Sequence, residues 1–179
     1  MLSFNDELEY NKTASQMAER AVALFIIATY SNGLIQKNCP LEESKQYINK
    51  FIKKYSAESA FTKKELDFIN SECPSDEESG FLCWRWESLN FLLWIMSYNQ
   101  ELGDPNQPCL CFQCSKVFNK HKSIESISKT KLRDSREVSM KARTILDLDE
   151  KSPNVDIGIL SEWKRIIQWV FTDQEWDQL

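Results

Sequence analysis

Two charged residues, Arg85 and Glu87, stand inside the most apolar stretch of the sequence and are the first candidates for chemistry. On a helix, side chains two residues apart point about 200° away from each other, so these two cannot neutralise one another. A buried charge without a partner is costly, which requires partners from other helices. We expect Arg20 to pair with Glu87 and Glu162 to pair with Arg85, because both partners lie on strongly predicted helices.

This set of four charges is compatible with two roles. As ion pairs, Arg20, Arg85, Glu87 and Glu162 would fix the register of the helices and do nothing else. As the lining of a polar pocket, they could bind a small molecule or support a hydrolytic reaction. The sequence leaves both roles open and assigns no catalytic residue.

A second candidate site is the cysteine-rich segment of Cys109, Cys111 and Cys114, followed by His121, the only histidine. Three thiolates and one imidazole would suit a tetrahedral structural zinc ion. However, all four side chains fall within thirteen residues, whereas zinc knuckles have two separated ligand pairs. Buried reduced thiols, which pack as small apolar groups, and a redox pair are the alternatives. A lone histidine in this lysine-rich stretch is more typical of a solvated loop.

Two tryptophans near the end of the sequence, Trp169 and Trp176, are candidates for an interface. Trp169 lies off the apolar stripe of the last predicted helix. We expect that it either covers the tail that carries Trp176 or contacts a partner.

The elements that must position these residues are predicted to be helices. Only four glycines and five prolines are present, which disfavours an all-β fold with its many turns. Possible capping boxes begin at Thr13, Thr62 and Asp134, each followed by helical apolar periodicity. The stretch from Phe81 to Tyr98 is apolar in most directions, which predicts a buried central helix.

We therefore predict an all-α fold, with residues 1–179 forming a single-domain orthogonal bundle of about six helices around a central apolar helix at residues 80–99. Residues 1–10 are expected to be flexible. Residues 106–133 have a poor periodic pattern and are predicted to be an irregular connector, with short turns and at most one brief helix.

Composition excludes several classes of protein. The formal net charge is -5, and although residues 115–143 are mostly basic, they lack the interleaved aromatic residues of a nucleic-acid platform. Nucleic-acid binding is therefore not expected. The apolar runs are far below the ~20 residues that span a bilayer, so no membrane association is predicted. No secretory signal is recognisable, and six reduced cysteines suit a cytoplasmic protein.

The sequence also resembles a known family. Its motifs are Trp84-Arg85-Trp86-Glu87 with Leu92-Leu93-Trp94, then Gly158-Ile159-Leu160-Ser161-Glu162 with Trp169, and finally Glu175-Trp176-Asp177. In this order they resemble domain-of-unknown-function family 4272, which is largely bacterial. The resemblance implies an all-helical bundle and carries no activity. Trp163 departs from it, standing where the family pattern has an arginine.

From these observations we expect a non-enzymatic domain that binds a protein partner, as an adaptor or as a toxin-neutralising (immunity-type) protein. The alternative is a small-molecule-binding or hydrolytic domain built around the buried arginines and glutamates. No cofactor is predicted apart from the zinc hypothesis, and the sequence indicates no oligomeric state.

Overall fold

The computed structural model describes residues 9–37 and 40–179, and within these ranges every regular element is a helix. The all-α prediction is confirmed, but these ranges contain nine α-helices rather than about six. They are α1 (Ala14–Gln36), α2 (Leu41–Tyr55), α3 (Lys63–Asn70), α4 (Asp76–Cys83), α5 (Arg85–Ile95), α6 (Cys111–Lys120), α7 (Ile124–Ser128), α8 (Ser135–Leu146) and α9 (Ile157–Phe171). Two 3₁₀ segments, Ala57–Ala60 and Trp176–Gln178, complete the set.

The longest helix, α1, lies at the centre of the bundle. Thr13 and Gln16 form the predicted capping box, in which each side chain accepts a hydrogen bond from the other's backbone N–H. All residues from Arg20 to Ala28 are buried, and α2, α4, α5 and α7 pack around them. A helix that is apolar on nearly all sides must be covered on all sides, which explains its position.

The predicted central helix at residues 80–99 is two helices instead of one. At Trp84 the backbone tightens, so that Glu87 N–H donates to the Trp84 carbonyl at 2.8 Å, three residues back. The tight turn separates α4, whose first turn is acidic and exposed, from α5, in which all eleven residues are buried. The prediction of a buried apolar helix therefore holds for α5, which packs against α1, α6 and α9.

The C-terminal end of α5 is closed by Arg133. Its guanidinium donates to the carbonyl oxygens of Trp94 at 2.7 Å and of Asn99 and Gln100 at 2.8 Å each. The same group lies over the Trp94 ring, 4.8 Å from its centroid. A cation at this end of a helix complements the helix dipole and the carbonyls left without intrahelical partners.

Residues 106–133 are more ordered than predicted, because α6 and α7 both lie within them. Phe118 of α6 stacks on Phe25 of α1 with ring centroids 4.2 Å apart. The Tyr55 hydroxyl donates to the carbonyls of Phe118 at 2.5 Å and of His121 at 3.1 Å. These contacts with α1 and α2 hold a segment whose own periodicity is weak. The predicted connector of turns with at most one brief helix therefore contains two helices, at 111–120 and 124–128.

The buried apolar side chains of the described residues form one continuous core. Residues 1–8 of the segment expected to be flexible lie outside the described residues, but Tyr10 stacks on Phe171 and donates to the Arg133 carbonyl at 2.9 Å. Within the described ranges, none of the helices combines the length and apolar character needed to cross a membrane.

Two glycines inside helices, one in α4 and one in α9, differ in how tightly their surroundings are packed, and this difference can be tested. A Cβ added at Gly80 in α4 would meet nothing within 4 Å, whereas one at Gly158 in α9 would lie 3.0 Å from the Trp84 indole. We expect Gly80→Ala to raise the free energy of unfolding by about 0.5–1 kcal/mol, since alanine favours the helix. The free energy of unfolding of Gly158→Ala should be about 1 kcal/mol lower than that of Gly80→Ala, because the Trp84 indole must move. Urea unfolding followed by circular dichroism measures both, and equal gains would contradict the packing described.

Candidate functional site

Four charged side chains are buried together where α1, α3, α5 and α9 meet the C-terminal 3₁₀ segment. They are Arg20, Glu65, Arg85 and Glu162, each no more than 5% exposed. At such burial a charge must be neutralised, or it destabilises the fold by several kcal/mol. We call this group, with Arg165 and Trp176, the arginine cluster.

Arg20 pairs with Glu65, so the predicted pair of Arg20 with Glu87 is wrong. Arg20 Nη2 donates to the two carboxylate oxygens of Glu65 at 2.6 and 2.8 Å. Glu65 Oε2 also accepts from the backbone N–H of Thr62 at 2.9 Å, completing the capping box of α3. One carboxylate thus starts a helix and neutralises a buried cation. The sequence revealed the first of these tasks but gave no sign of the second.

The predicted pair of Arg85 with Glu162 is confirmed. Arg85 Nη1 donates to Glu162 Oε1, and the Ser88 hydroxyl donates to Glu162 Oε2 at 2.6 Å. Arg165, one turn further along α9, places its Nε 3.8 Å from Glu162 Oε1. Both oxygens of the glutamate are therefore engaged, which satisfies the requirement for a buried carboxylate.

The Trp176 indole closes the cluster and contacts all three arginines. The guanidinium carbons of Arg20, Arg85 and Arg165 lie 4.9, 5.5 and 5.6 Å from a Trp176 ring centroid, within cation–π range. Arg165 Nη1 also donates to the main-chain oxygen of Leu179 at 2.5 Å. Burial lowers the pKa of Arg165 and the charge of Arg85 lowers it further, while Glu162 and Asp177 act in the opposite direction.

Trp169 and Trp176 are both buried, so neither is an interface residue on the free surface of the chain. Their rings meet edge to face with centroids 6.0 Å apart, and Lys12 lies over the Trp169 ring. Of the two expectations for Trp169, covering the tail is the one that these contacts match.

Two cavities flank Trp176. One, of about 360 Å³, is lined by Arg20, Glu19, Thr62 and Trp169 among others, and the second, of about 230 Å³, by Arg85, Arg165 and Phe81 among others. Trp176 and Asp177 line both. The Trp176 side chain therefore borders two arginine-lined hollows.

Glu87 is buried apart from this cluster, and no cationic side chain of the described residues pairs with it. Its Oε1 accepts from the backbone N–H of Cys109 at 2.7 Å. Its Oε2 and the indole nitrogen of Trp163 are both buried and have no hydrogen-bond partner among the described residues. Burial raises the pKa of Glu87, the hydrogen bonds from Cys109 oppose this, and the charge of Asp156 adds to it.

The zinc hypothesis is not supported. Cys109, Cys111 and Cys114 lie near one another at the start of α6, but His121 follows the other end of that helix and packs edge to face on Tyr98, with ring centroids 5.4 Å apart. Across 9–37 and 40–179, no group of three or more histidine, cysteine, aspartate or glutamate side chains is arranged to hold a metal ion. An open groove of about 780 Å³ beside α6 is lined by Cys109, His121 and the amide side chains of Asn90 and Asn99 among others.

Two members of the arginine cluster, Glu65 and Arg165, were absent from the set predicted from sequence. Arg165 lies three residues after Glu162, a spacing that brings side chains together on one face of a helix and could have suggested it. For Glu65 the only signal was the capping box, which says nothing about long-range partners.

Comparison with protein families gave a match over nearly the full length of the sequence. The model of the family described as Domain of unknown function (DUF4272) covers residues 2–179, essentially the whole chain. Neither the curated proteins nor the solved structures gave a match.

The arginine cluster predicts a large difference between buried and exposed ion pairs. Glu162→Gln removes the charge that neutralises Arg85, and we expect it to lower the free energy of unfolding by about 3–5 kcal/mol. Glu137→Gln breaks the surface pair with Arg133, and we expect a loss below about 1 kcal/mol. Chemical denaturation of the two variants beside the parent protein measures both values. A loss in Glu162→Gln no larger than in Glu137→Gln would mean that Glu162 does not support the fold.

Glu87 predicts a specific dependence of stability on pH. Because its pKa is raised in the folded state, the proton is held more tightly there than in the unfolded chain. The stabilisation that comes from this tighter binding of the proton is complete at pH values below the pKa of Glu87 in the unfolded chain. It is lost as the pH rises through the pKa of Glu87 in the folded protein. Since Glu87→Gln lacks it, we expect the stability of the parent protein relative to that variant to fall as the pH rises above the unfolded pKa of about 4.3.

Melting temperatures of the parent protein and of Glu87→Gln across this pH range provide the measurement. A difference of 1 kcal/mol corresponds to about 2–4 °C for a chain of this size. Glu58→Gln, at an exposed position, controls for the removal of one negative charge. A pH-independent difference between the parent protein and Glu87→Gln would show that Glu87 titrates alike in both states.

Proposed function

The chain belongs to the family Domain of unknown function (DUF4272), and we propose that it is a non-enzymatic module that binds another protein. The observation that carries this proposal is a group of exposed apolar side chains on α4 and at the start of α9. Phe81, Trp84 and Ile157 are 55%, 37% and 60% exposed. We call these three residues the α4 surface.

The members of the α4 surface are neighbours. Phe81 and Trp84 are three residues apart at the end of α4, so their side chains lie on the same side of the helix. The Trp84 indole lies against Gly158, the residue that follows Ile157. A single exposed apolar side chain is ordinary on a protein surface, whereas a group of large ones is typical of an interaction site. Aromatic residues, tryptophan above all, are enriched among those that dominate binding energy.

The charges beside this surface favour a partner with basic groups. Asp76, Glu77 and Glu78 form the first turn of α4 and are exposed. Glu77 lies one turn before Phe81, and the whole chain has a formal net charge of -5. Acidic residues around an apolar centre attract a partner whose apolar side chains are flanked by lysine or arginine, and they also raise the rate of association.

The state of the arginine cluster also supports a binding role. Arg20 and Arg85 are each engaged by a carboxylate and by the Trp176 ring, so their charges are used within the chain. A catalytic pocket would instead direct such groups at a substrate. In our proposal, the cluster holds α1, α3, α5 and α9 in place and so fixes the position of α4.

We further propose that the protein works in a bacterial cytoplasm, as an adaptor or as a toxin-neutralising (immunity-type) partner. The five described cysteines are free thiols, which suits a reducing compartment. Both roles require a stable domain with one preformed contact surface.

A second candidate function, the binding of a small anion, has one observation in its favour. Trp176 lines two hollows, one with Arg20 in its wall and the other with Arg85 and Arg165. The hollow beside Arg85 is about 230 Å³, below the ~300–1,000 Å³ of typical ligand pockets. We rank this function second because the ion pairs would have to open before the arginines could meet a ligand.

The α4 surface is tested by a double variant and a matched control. The partner is first captured from the native cells by affinity purification, identified and purified. In binding measurements with this purified partner, we expect the double variant, Phe81→Ser with Ile157→Ser, to bind at least tenfold more weakly than the parent protein. Met140→Ser, at a 69% exposed position on α8, should leave the affinity unchanged. Equal affinity of the double variant and the parent protein would refute the proposed surface, as would the failure of any purified protein to bind directly.

A further inference from the structure

The open groove beside α6 has one helical wall and one wall of irregular chain. The helical wall is the face of α6 that carries Lys116 and Lys120, which are four residues apart and therefore lie on the same side of the helix. The opposite wall is the segment 98–108, which includes Glu101 and Asp104. At about 780 Å³, the groove lies within the ~300–1,000 Å³ that is typical of ligand-binding clefts.

The segment 98–108 contains no helix, but hydrogen bonds from other parts of the chain hold it in place. Carbonyl oxygens along the segment accept these bonds at distances of 2.7 to 3.1 Å, namely those of Asn99, Gln100, Leu102 and Pro105. The donors are the Arg133 guanidinium, the Asn90 side chain and the N–H of Asp156. This wall is thus fixed before any ligand binds, which lowers the entropic cost of binding.

The two walls carry opposite charges that do not pair with each other. Lys116 and Lys120 on α6 are exposed, as are Glu101 and Asp104 on the segment 98–108. None of the ion pairs found within 9–37 and 40–179 involves these four side chains. A groove that holds unpaired charges of both signs is complementary to a ligand that also carries charges of both signs.

Amide side chains lie on both walls of the groove. Those of Gln113 on α6 and Gln107 opposite form no hydrogen bond with any described residue. The amide of Asn99 is oriented by its Nδ2, which donates to Asn90 Oδ1 at 2.9 Å, and its own Oδ1 is left as an acceptor. A side-chain amide has a carbonyl acceptor and N–H donors, as a peptide group does. These side chains therefore match the hydrogen-bonding groups of a peptide main chain.

We propose that the groove binds a short peptide whose two terminal charges are free. Its carboxylate lies at Lys116 and Lys120, and its ammonium group lies at Glu101 and Asp104. The amide side chains bind the peptide groups between these ends. A free amino acid has both charges but no peptide group, and the acidic wall would repel a polyanion. No residue of the α4 surface lines the groove, so this site does not depend on the proposed function.

An NMR titration of the full chain with a pool of tripeptides of randomised sequence tests the proposal. With free termini, we expect saturable shifts of the backbone amide signals of Gly103 and Gln113, which lie on opposite walls. The same pool with acetylated and amidated ends is the matched ligand control and should produce no such shifts. No saturable shift with the free pool would overturn the site, and equal shifts with the blocked pool would overturn the recognition of terminal charges.

Removal of the charges from each wall tests which residues bind the two ends. We expect Lys116→Gln with Lys120→Gln, and separately Glu101→Gln with Asp104→Asn, to weaken binding of the free pool about tenfold. Each double variant removes two charge-assisted contacts with the ligand. Parental affinity in either double variant would refute the role of that wall.

Two lysines on α2 provide the matched control for the loss of positive charge. Lys50 and Lys53 are exposed and do not line the groove. Lys50→Gln with Lys53→Gln should bind the pool with the parental affinity. A loss as large as that of Lys116→Gln with Lys120→Gln would mean that net charge, and not the groove, determines binding.

Discussion

The structure depends on the neutralisation of charges that are buried at the junction of four helices. Arg20 and Arg85 come from the two helices with the largest numbers of buried residues, and each needs a carboxylate from elsewhere in the chain. Glu65 and Glu162 supply these from α3 and α9, so each pair links elements far apart in sequence. Apolar packing tolerates some sliding of one helix on another, but a buried ion pair requires one register. The cluster thereby fixes the arrangement that apolar burial alone would leave less defined.

Trp176 extends this constraint to the C-terminal segment. Its ring lies within cation–π distance of the guanidinium groups of all three arginines. It covers them with apolar surface where water would otherwise reach them. The segment is also held by polar contacts, since the Lys64 side chain donates to the Asp177 carbonyl at 3.0 Å. A short 3₁₀ turn with little intrinsic stability is in this way ordered by the charges it covers.

The sequence was sufficient to predict those features of the structure that follow from a local pattern of residues. Two of the three capping boxes form as predicted, and the Arg85–Glu162 pair follows from the need of a buried arginine for a carboxylate on a strong apolar helix. At the third, Asp134 caps α8 alone, because Glu137 pairs with Arg133 instead.

What the sequence could not reveal depends on contacts between distant residues. Nothing near Glu65 indicates that it neutralises Arg20, because the capping box already explains a glutamate at that position. The break at Trp84 is equally hidden, since residues on both sides of it have helical periodicity. In α6, the stacking of Phe118 on Phe25 and the hydrogen bonds from the Tyr55 hydroxyl order a segment that lacks a convincing pattern of its own.

The break in the helix at Trp84 determines the directions of two side chains, that of Trp84 in the α4 surface and that of Glu87, which contacts the cysteine segment. Because the chain tightens there, the Trp84 indole faces outward over Gly158, while Glu87, one turn later, points inward to the backbone of Cys109. The same turn of helix thus contributes the aromatic side chain of the α4 surface and the carboxylate that fixes the cysteine segment. A continuous helix in this place would rotate one of these side chains away from its contact. The irregularity at Trp84 therefore positions both side chains, and Glu87 Oε1 uses its place in the apolar interior to accept a hydrogen bond from the backbone of Cys109.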